Sequence, residues 1–147
     1  MFIQNLLNIC ICSLLFIILN YACIKLIMID SIYKIRIATV KDIDVLKVFE
    51  QEIIKYERPY APNLRKDPIF YYDIKNLIER VDAQVLVAEL NDEIIGCGYA
   101  LIKNSPSYKK PEKFVYLGFM YVSPINRGKG INGLIVSELI KWAKIKN

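Results

Sequence analysis

Val122-Ser123-Pro124-Ile125-Asn126-Arg127-Gly128-Lys129-Gly130-Ile131-Asn132-Gly133 runs from an apolar stretch into a segment with helical spacing. Three of the chain's six glycines fall within residues 128–133. Glycine lets the backbone turn tightly and come close to a ligand. The amides that open a helix lack intrahelical acceptors, and the helix dipole makes that end attractive to anions. Arg127 and Lys129 add two positive charges. The stretch reads as a cradle for a diphosphate. Gly128-x-Gly130-x-x-Gly133 fits the dinucleotide spacing, but Gly128 comes six positions after Val122 instead of closing the strand directly. Only 14 residues follow Gly133, too few to bring in the ribose-binding acid of the next strand. A Walker A loop fails because Gly130, not Ser or Thr, follows Lys129.

The elements around the loop follow from periodicity. Phe114–Val122 is a long strand, apolar on both faces, which predicts a central place in a sheet. Ile131–Ile145 is a helix with Leu134, Ile135, Leu139, Ile140 and Ala143 facing inward. Upstream, Gln84–Glu89 and Glu93–Lys103 form a hairpin across Asn91-Asp92, and Gly96 and Gly98 suggest a bulge or a close approach. Tyr33–Ala38 alternates as a strand. Thr39 then caps a helix that reaches Tyr56, with Asp42 as the capping-box acid. Arg58–Asn63 is a loop, and Asp67-Pro68 predicts the cap and first turn of a second helix reaching Val81. The order β-α-α-β-β-β-α defines an α/β fold.

Composition narrows the chemistry. The 147 residues suit one domain. There is no histidine, which removes Ser-His-Asp and Cys-His nucleophile systems and His-ligated metals. No Cys-x-x-Cys pair occurs, so a zinc ribbon is unsupported and no metal is expected. The net charge of +5 is uneven: residues 103–147 hold nine basic and two acidic side chains, while the rest of the chain is slightly acidic. That surplus points to an anionic partner. Its positives gather around one glycine loop without interleaved aromatics, so nucleic acid is not the expected partner.

Residues 1–27 stand apart as an apolar N-terminal segment. The run 6–24 is uncharged and 19 residues long, close to the roughly 20 residues that a bilayer core requires. Lys25, Lys34 and Arg36 follow it, which places the remainder of a single-pass protein in the cytoplasm. A start at Met28 is the competing reading. A cleaved signal peptide lacks its basic n-region and small-residue cleavage site. Nothing in the sequence sets an oligomeric state.

Taken with its flanks, the loop resembles that of the GNAT superfamily of N-acetyltransferases. Val122-Ser123-Pro124 followed by Arg127-Gly128-Lys129-Gly130-Ile131-Asn132 is similar to that family's strand end and acetyl-CoA loop. Asn132 stands where Gly or Ala is usual. Ile35-Arg36-x-Ala38-x-x-Lys41-Asp42 and Val85–Glu89 with Ile94–Gly98 resemble the first three strands. The resemblance covers about 33–145 and implies a GNAT domain over 33–147. It implies a mixed central sheet flanked by helices, incomplete on its C-terminal side, since the family continues with further strands and a helix where this chain stops.

The resemblance also implies a function. Acetyl-CoA would lie against Phe114–Val122, its pantetheine amides paired with backbone of Met120, Tyr121 and Val122. Its pyrophosphate would rest on the amides of Arg127, Gly128, Lys129, Gly130, Ile131 and Asn132. A primary amine, on a small molecule or a peptide, would attack the thioester directly. Many relatives place a Glu on the central strand, but no carboxylate lies between Lys113 and Val122 here. Tyr116 and Tyr121 are the catalytic candidates, with Glu52 and Glu57 on the first helix as further ones. The alternative is a truncated, non-catalytic remnant that binds CoA.

Overall fold

The computed structural model describes residues 32–146, and the apolar run 6–24 lies outside the described residues. Strand β1 (Lys34–Ile37) leads through a 3-10 turn at Val40–Asp42 into α1 (Ile43–Glu57). Helix α2 (Ile74–Glu79) follows a long connection, then β2 (Ala83–Leu90), β3 (Glu93–Asn104), β4 (Lys113–Val122) and α3 (Ile131–Lys146). The order agrees with the sequence reading. The four strands lie as β1-β2-β3-β4, each antiparallel to its neighbour. Asn91 (φ 50°) and Asp92 (φ 64°) make the tight β2–β3 turn, a conformation that Asn and Asp tolerate. Among the described residues no helix is long and apolar enough to cross a membrane.

β4 departs from expectation. It is apolar on both faces, yet it sits at the edge of the sheet. Apolar faces report what covers a strand above and below, not what hydrogen-bonds beside it. One face of the sheet packs Val85, Val87, Cys97, Tyr99, Phe119 and Tyr121 against Leu46, Phe49, Ile74 and Leu77 of α1 and α2. The other face meets α3, whose buried stripe is Ile131, Ile135 and Leu139, spaced by four residues. Ile140, expected inward, is exposed. The glycines of β3 permit this approach: a Cβ at Gly98 would lie 3.0 Å from Ile135 Cγ2 and 2.6 Å from Met120 Sδ.

Pairing of β3 with β4 shifts register between Cys97 and Tyr99, where Gly98 opposes both Phe119 and Met120. Phe119 has φ 53°. This is a β-bulge, which bends a strand and re-aims side chains beyond it. Gly118 pairs with Tyr99, and Phe119 joins the same core cluster as Tyr99. Two successive residues therefore face α1, and Met120 turns toward Gly98 and the α3 side.

Helix α2 is much shorter than the span expected from Asp67-Pro68. Its cap is Asp73, whose carboxylate accepts the Asn76 amide at 3.1 Å. Asp67 is paired instead with Arg58. The segment between is held extended by α1. Buried Glu50 accepts the amides of Tyr71 and Tyr72 at 2.6 and 2.8 Å through one carboxylate oxygen, and Gln51 Nε2 donates to the Ile69 carbonyl at 3.0 Å. Backbone groups engaged this way are withdrawn from a helix ladder.

Asp42 does more than cap. It accepts two hydrogen bonds from Arg36, at 2.7 and 2.9 Å, and one from the Thr39 amide at 2.7 Å. Arg36 Nε also donates to Glu89 at 2.5 Å, joining β1, β2 and the first helical turn. The Arg36 guanidinium holds the Asp42 carboxyl at about 2, against an ordinary 3.8. A carboxyl depressed in the folded state adds stability above its unfolded value, and that stability is lost as pH falls through the folded one. The urea midpoint is therefore expected to drop as pH is lowered from 3.8 to about 2, and that portion of the drop is expected to vanish in Asp42→Asn.

Candidate active site

The loop after β4 is built by short local bonds. Ser123 donates its amide to the Ile95 carbonyl at 2.8 Å, fixing the strand end to β3. Pro124–Asn126 forms one 3-10 turn. Buried Asn126 donates to Ser123 Oγ at 2.9 Å and accepts from Lys129 Nζ at 3.0 Å. Arg127 Nε donates to the Val122 carbonyl at 2.9 Å, and its guanidinium lies 5.0 Å from the Tyr56 ring centre. Gly128 (φ 76°) and Gly130 (φ 84°) adopt the left-handed backbone that favours glycine. Gly133 has no such need, and a Cβ there would meet nothing within 4 Å.

These bonds leave a cleft of about 420 Å³ at the junction of β4 and α3. Met120, Val122, Asn126, Arg127, Gly128, Gly130, Ile131 and Asn132 line it. Leu134 is the first residue whose amide closes back on the loop, onto the Gly130 carbonyl at 3.2 Å. Among the described residues the amides of 128–133 have no backbone acceptor, whereas that of Arg127 donates to the Pro124 carbonyl at 3.3 Å; the open donors at this helix start suit an anion. Seven of the nine residues expected at a cofactor thus border one cleft. Lys129 turns its ammonium to Asn126, and Tyr121 turns its ring to the opposite face, stacked on Phe49 at 4.4 Å. Their backbone is what these two offer.

Sequence reasoning missed Asn126 and Tyr56. Asn126 had a local signal, since it ends the turn begun by Pro124. Tyr56 had none, because it meets Arg127 only through the fold.

The candidate tyrosines part company. Tyr121 is buried, and its pKa is raised by burial first and by the Glu52 charge second, with Arg127 opposing. Tyr116 is 42% exposed and joins a cluster around Gly118. Its ring centre is 6.1 Å from that of Tyr99, and Tyr99 is 5.9 Å from Tyr72. Tyr72 stacks on Phe119 of the bulge at 4.7 Å. Burial pushes the Tyr72 hydroxyl up to about 12, helped by the neighbouring phenols Tyr99 and Tyr116 and by Glu57, while the Phe119 amide works the other way. Tyr99 shifts upward too, chiefly through burial. Glu57 lies beside Tyr71, and Glu52 near Tyr121. Buried Cys97 donates to the Phe119 carbonyl at 3.5 Å, and burial raises its pKa. Among the described residues no group of acidic or thiol side chains is placed to hold a metal.

A strand edge that runs into a glycine-built loop at a helix start forms a cradle suited to an anion. The chain belongs to the GNAT family of acetyltransferases, whose family model matches residues 50–147. Among curated proteins no relative matches. A predicted acetyltransferase from Clostridium acetobutylicum, solved with acetyl-CoA, is 25% identical, with 78% of this chain and 75% of that one covered at a TM-score of 0.57. A mutant of the BH1408 protein from Bacillus halodurans is 19% identical, with 78% and 76% covered at 0.68. An aminoglycoside acetyltransferase from an uncultured soil metagenomic sample, in complex with sisomicin, is 20% identical, with 80% and 74% covered at 0.53. The last two are likenesses of fold.

Proposed function

We propose that the chain is an N-acetyltransferase that moves the acetyl group of acetyl-CoA to a primary amine. The observation that carries this reading is the cleft between β4 and α3, with positive-φ glycines at 128 and 130 and free amides at the helix start. The amides of Gly128 through Asn132 would take the pyrophosphate; the Arg127 amide, expected among them, is engaged by the Pro124 carbonyl. The backbone of Met120, Tyr121 and Val122, on the outer edge strand, would pair with the pantetheine amides. When bound, acetyl-CoA supplies the acyl group as a thioester. The protein holds that group beside the bulge of β4 and brings the amine to it from the α1 side. Tyr116, half-open beside the bulge, is the candidate group for handling the proton, while Tyr121 forms part of the wall behind.

In this reading residues 33–147 form the acetyltransferase domain and act in the cytoplasm, and residues 1–27 are a separate segment, either an anchor or sequence upstream of a true start at Met28. The acceptor is a small-molecule or peptide amine. Titration calorimetry with acetyl-CoA tests the binding step. Saturable heat with a Kd of roughly 1 µM to 1 mM is expected, the range of ordinary enzyme substrates, and no heat at millimolar ligand overturns it. A second reading, a CoA-binding protein without turnover, is favoured by the lack of any carboxylate on β4. Thiol release from acetyl-CoA in the presence of an amine panel separates the two.

A further inference from the structure

Helix α1 and the chain leading into α2 border a second cavity, of about 430 Å³, that shares no residue with the cleft between β4 and α3. That volume suits a small molecule. Ile43, Phe70 and Ile74 give it apolar walls. Glu50 also borders it and is fully buried. One carboxylate oxygen of Glu50, Oε1, is spent on the amides of Tyr71 and Tyr72. The other, Oε2, is buried with no hydrogen-bond partner among the described residues. Such an oxygen is costly to leave without a donor, and nearly all buried polar atoms have one.

The chain's own cations do not supply that donor. Lys47 lies one turn before Glu50 on α1 and borders the same cavity, yet Oε2 stays unpaired. Lys75 reaches along α2 to Glu79 at 4.0 Å, an exposed pair that contributes little. Asp73, the second acid of the cavity, is already engaged as the cap of α2, accepting the Asn76 amide at 3.1 Å. The charges are therefore arranged in depth. A buried carboxylate oxygen forms the floor, two exposed ammonium groups stand at the mouth, and with Asp73 the two signs balance. A plain cation would be repelled by the lysines, and a plain anion by Glu50. A small zwitterion is matched to both. We infer that this cavity binds a free apolar α-amino acid. Its ammonium donates to Glu50 Oε2, its carboxylate faces Lys47 and Lys75, and its side chain lies against Ile43 and Phe70. Phe70 is 63% exposed on the irregular chain before α2, so its ring gains cover when the ligand enters. Binding here involves no acetyl-CoA, so this site and the transfer reading stand or fall separately.

The test is calorimetric titration of the full-length protein with three probes. L-leucine carries both charges, 3-methylbutylamine lacks the carboxylate, and 4-methylpentanoate lacks the amine. L-leucine is expected to bind saturably with a Kd of roughly 1 µM to 1 mM, as small substrates commonly do. Each analogue should bind at least about tenfold more weakly, because it leaves one charged partner unmet. Glu50→Gln keeps an oxygen for the Tyr71 and Tyr72 amides and puts an NH2 group in place of the free acceptor. It should lower L-leucine affinity at least about tenfold while circular dichroism stays that of the folded protein. Lys47→Met, at an exposed position, should weaken L-leucine about fivefold or more and leave 3-methylbutylamine unweakened, a split that a general structural defect would not give. No heat with L-leucine at millimolar concentration overturns the inference. So does an analogue that binds as tightly as L-leucine, or a folded Glu50→Gln protein with unchanged affinity.

Discussion

Gly128→Val is expected to weaken acetyl-CoA binding by about five- to thirtyfold, since a left-handed residue with a Cβ costs about 1–2 kcal/mol and 1.4 kcal/mol is tenfold in affinity. The effect is one of backbone strain. Gly128 sits at φ 76°, and a Cβ there would meet nothing within 4 Å. A branched side chain finds space but not its preferred backbone, so the loop relaxes and its amides lose their common aim. Stability should change little, because the loop is solvent-facing. Gly133→Ala is the control: this glycine also has open space, without the positive φ. Calorimetric titration of the three proteins with acetyl-CoA should give a normal Kd for Gly133→Ala and a raised one for Gly128→Val. Equal affinity in all three would mean that the glycine backbone does not form the cradle.

Ile135→Ala is expected to destabilise the protein by about 2–5 kcal/mol, the usual cost of truncating a fully buried aliphatic residue to alanine. Ile135 is fully buried at the middle of α3, and its methyl groups lie over Gly96 and Gly98. The surrounding structure has little means to close the gap. Glycine offers no side chain to move into it, and the β3 backbone is tied to β2 and β4 on both sides. Urea denaturation should show a lower midpoint with an unchanged slope. A loss below about 1 kcal/mol would mean that α3 shifts toward the sheet to refill the space. In that case acetyl-CoA binding should fall as well, since α3 carries the cradle at its start.

What could be read in advance was what neighbouring residues decide among themselves. Asn91-Asp92 announced the β2–β3 hairpin because both residues accept positive φ, and Gly128 and Gly130 announced the loop for the same reason. The start of α2 was not local. Asp67 and Asp73 are equally good caps by type, and Glu50, more than twenty positions upstream, decides between them by engaging the amides of Tyr71 and Tyr72. The bulge at Phe119 left no trace either, since phenylalanine is no marker of positive φ. The tyrosine cluster around Gly118 draws on residues 72, 99 and 116, from three separate elements and connections. Each looks like an ordinary strand or loop residue until pairing of Tyr99 with Gly118 brings them together.

The extra residue in β4 acts as a parity switch. In a regular strand the odd and even positions keep their sides throughout, so Met120 and Val122 would share the side of Tyr116, and Tyr121 would point into the cleft. One inserted position reverses this for everything downstream. The first half of the strand can present the Tyr116 phenol to the α1 side while Met120 and Val122 line the cleft on the other. Loss of a single residue there would exchange the two linings at once, turning the Tyr121 ring away from Phe49 and into the cleft lined by Met120 and Val122.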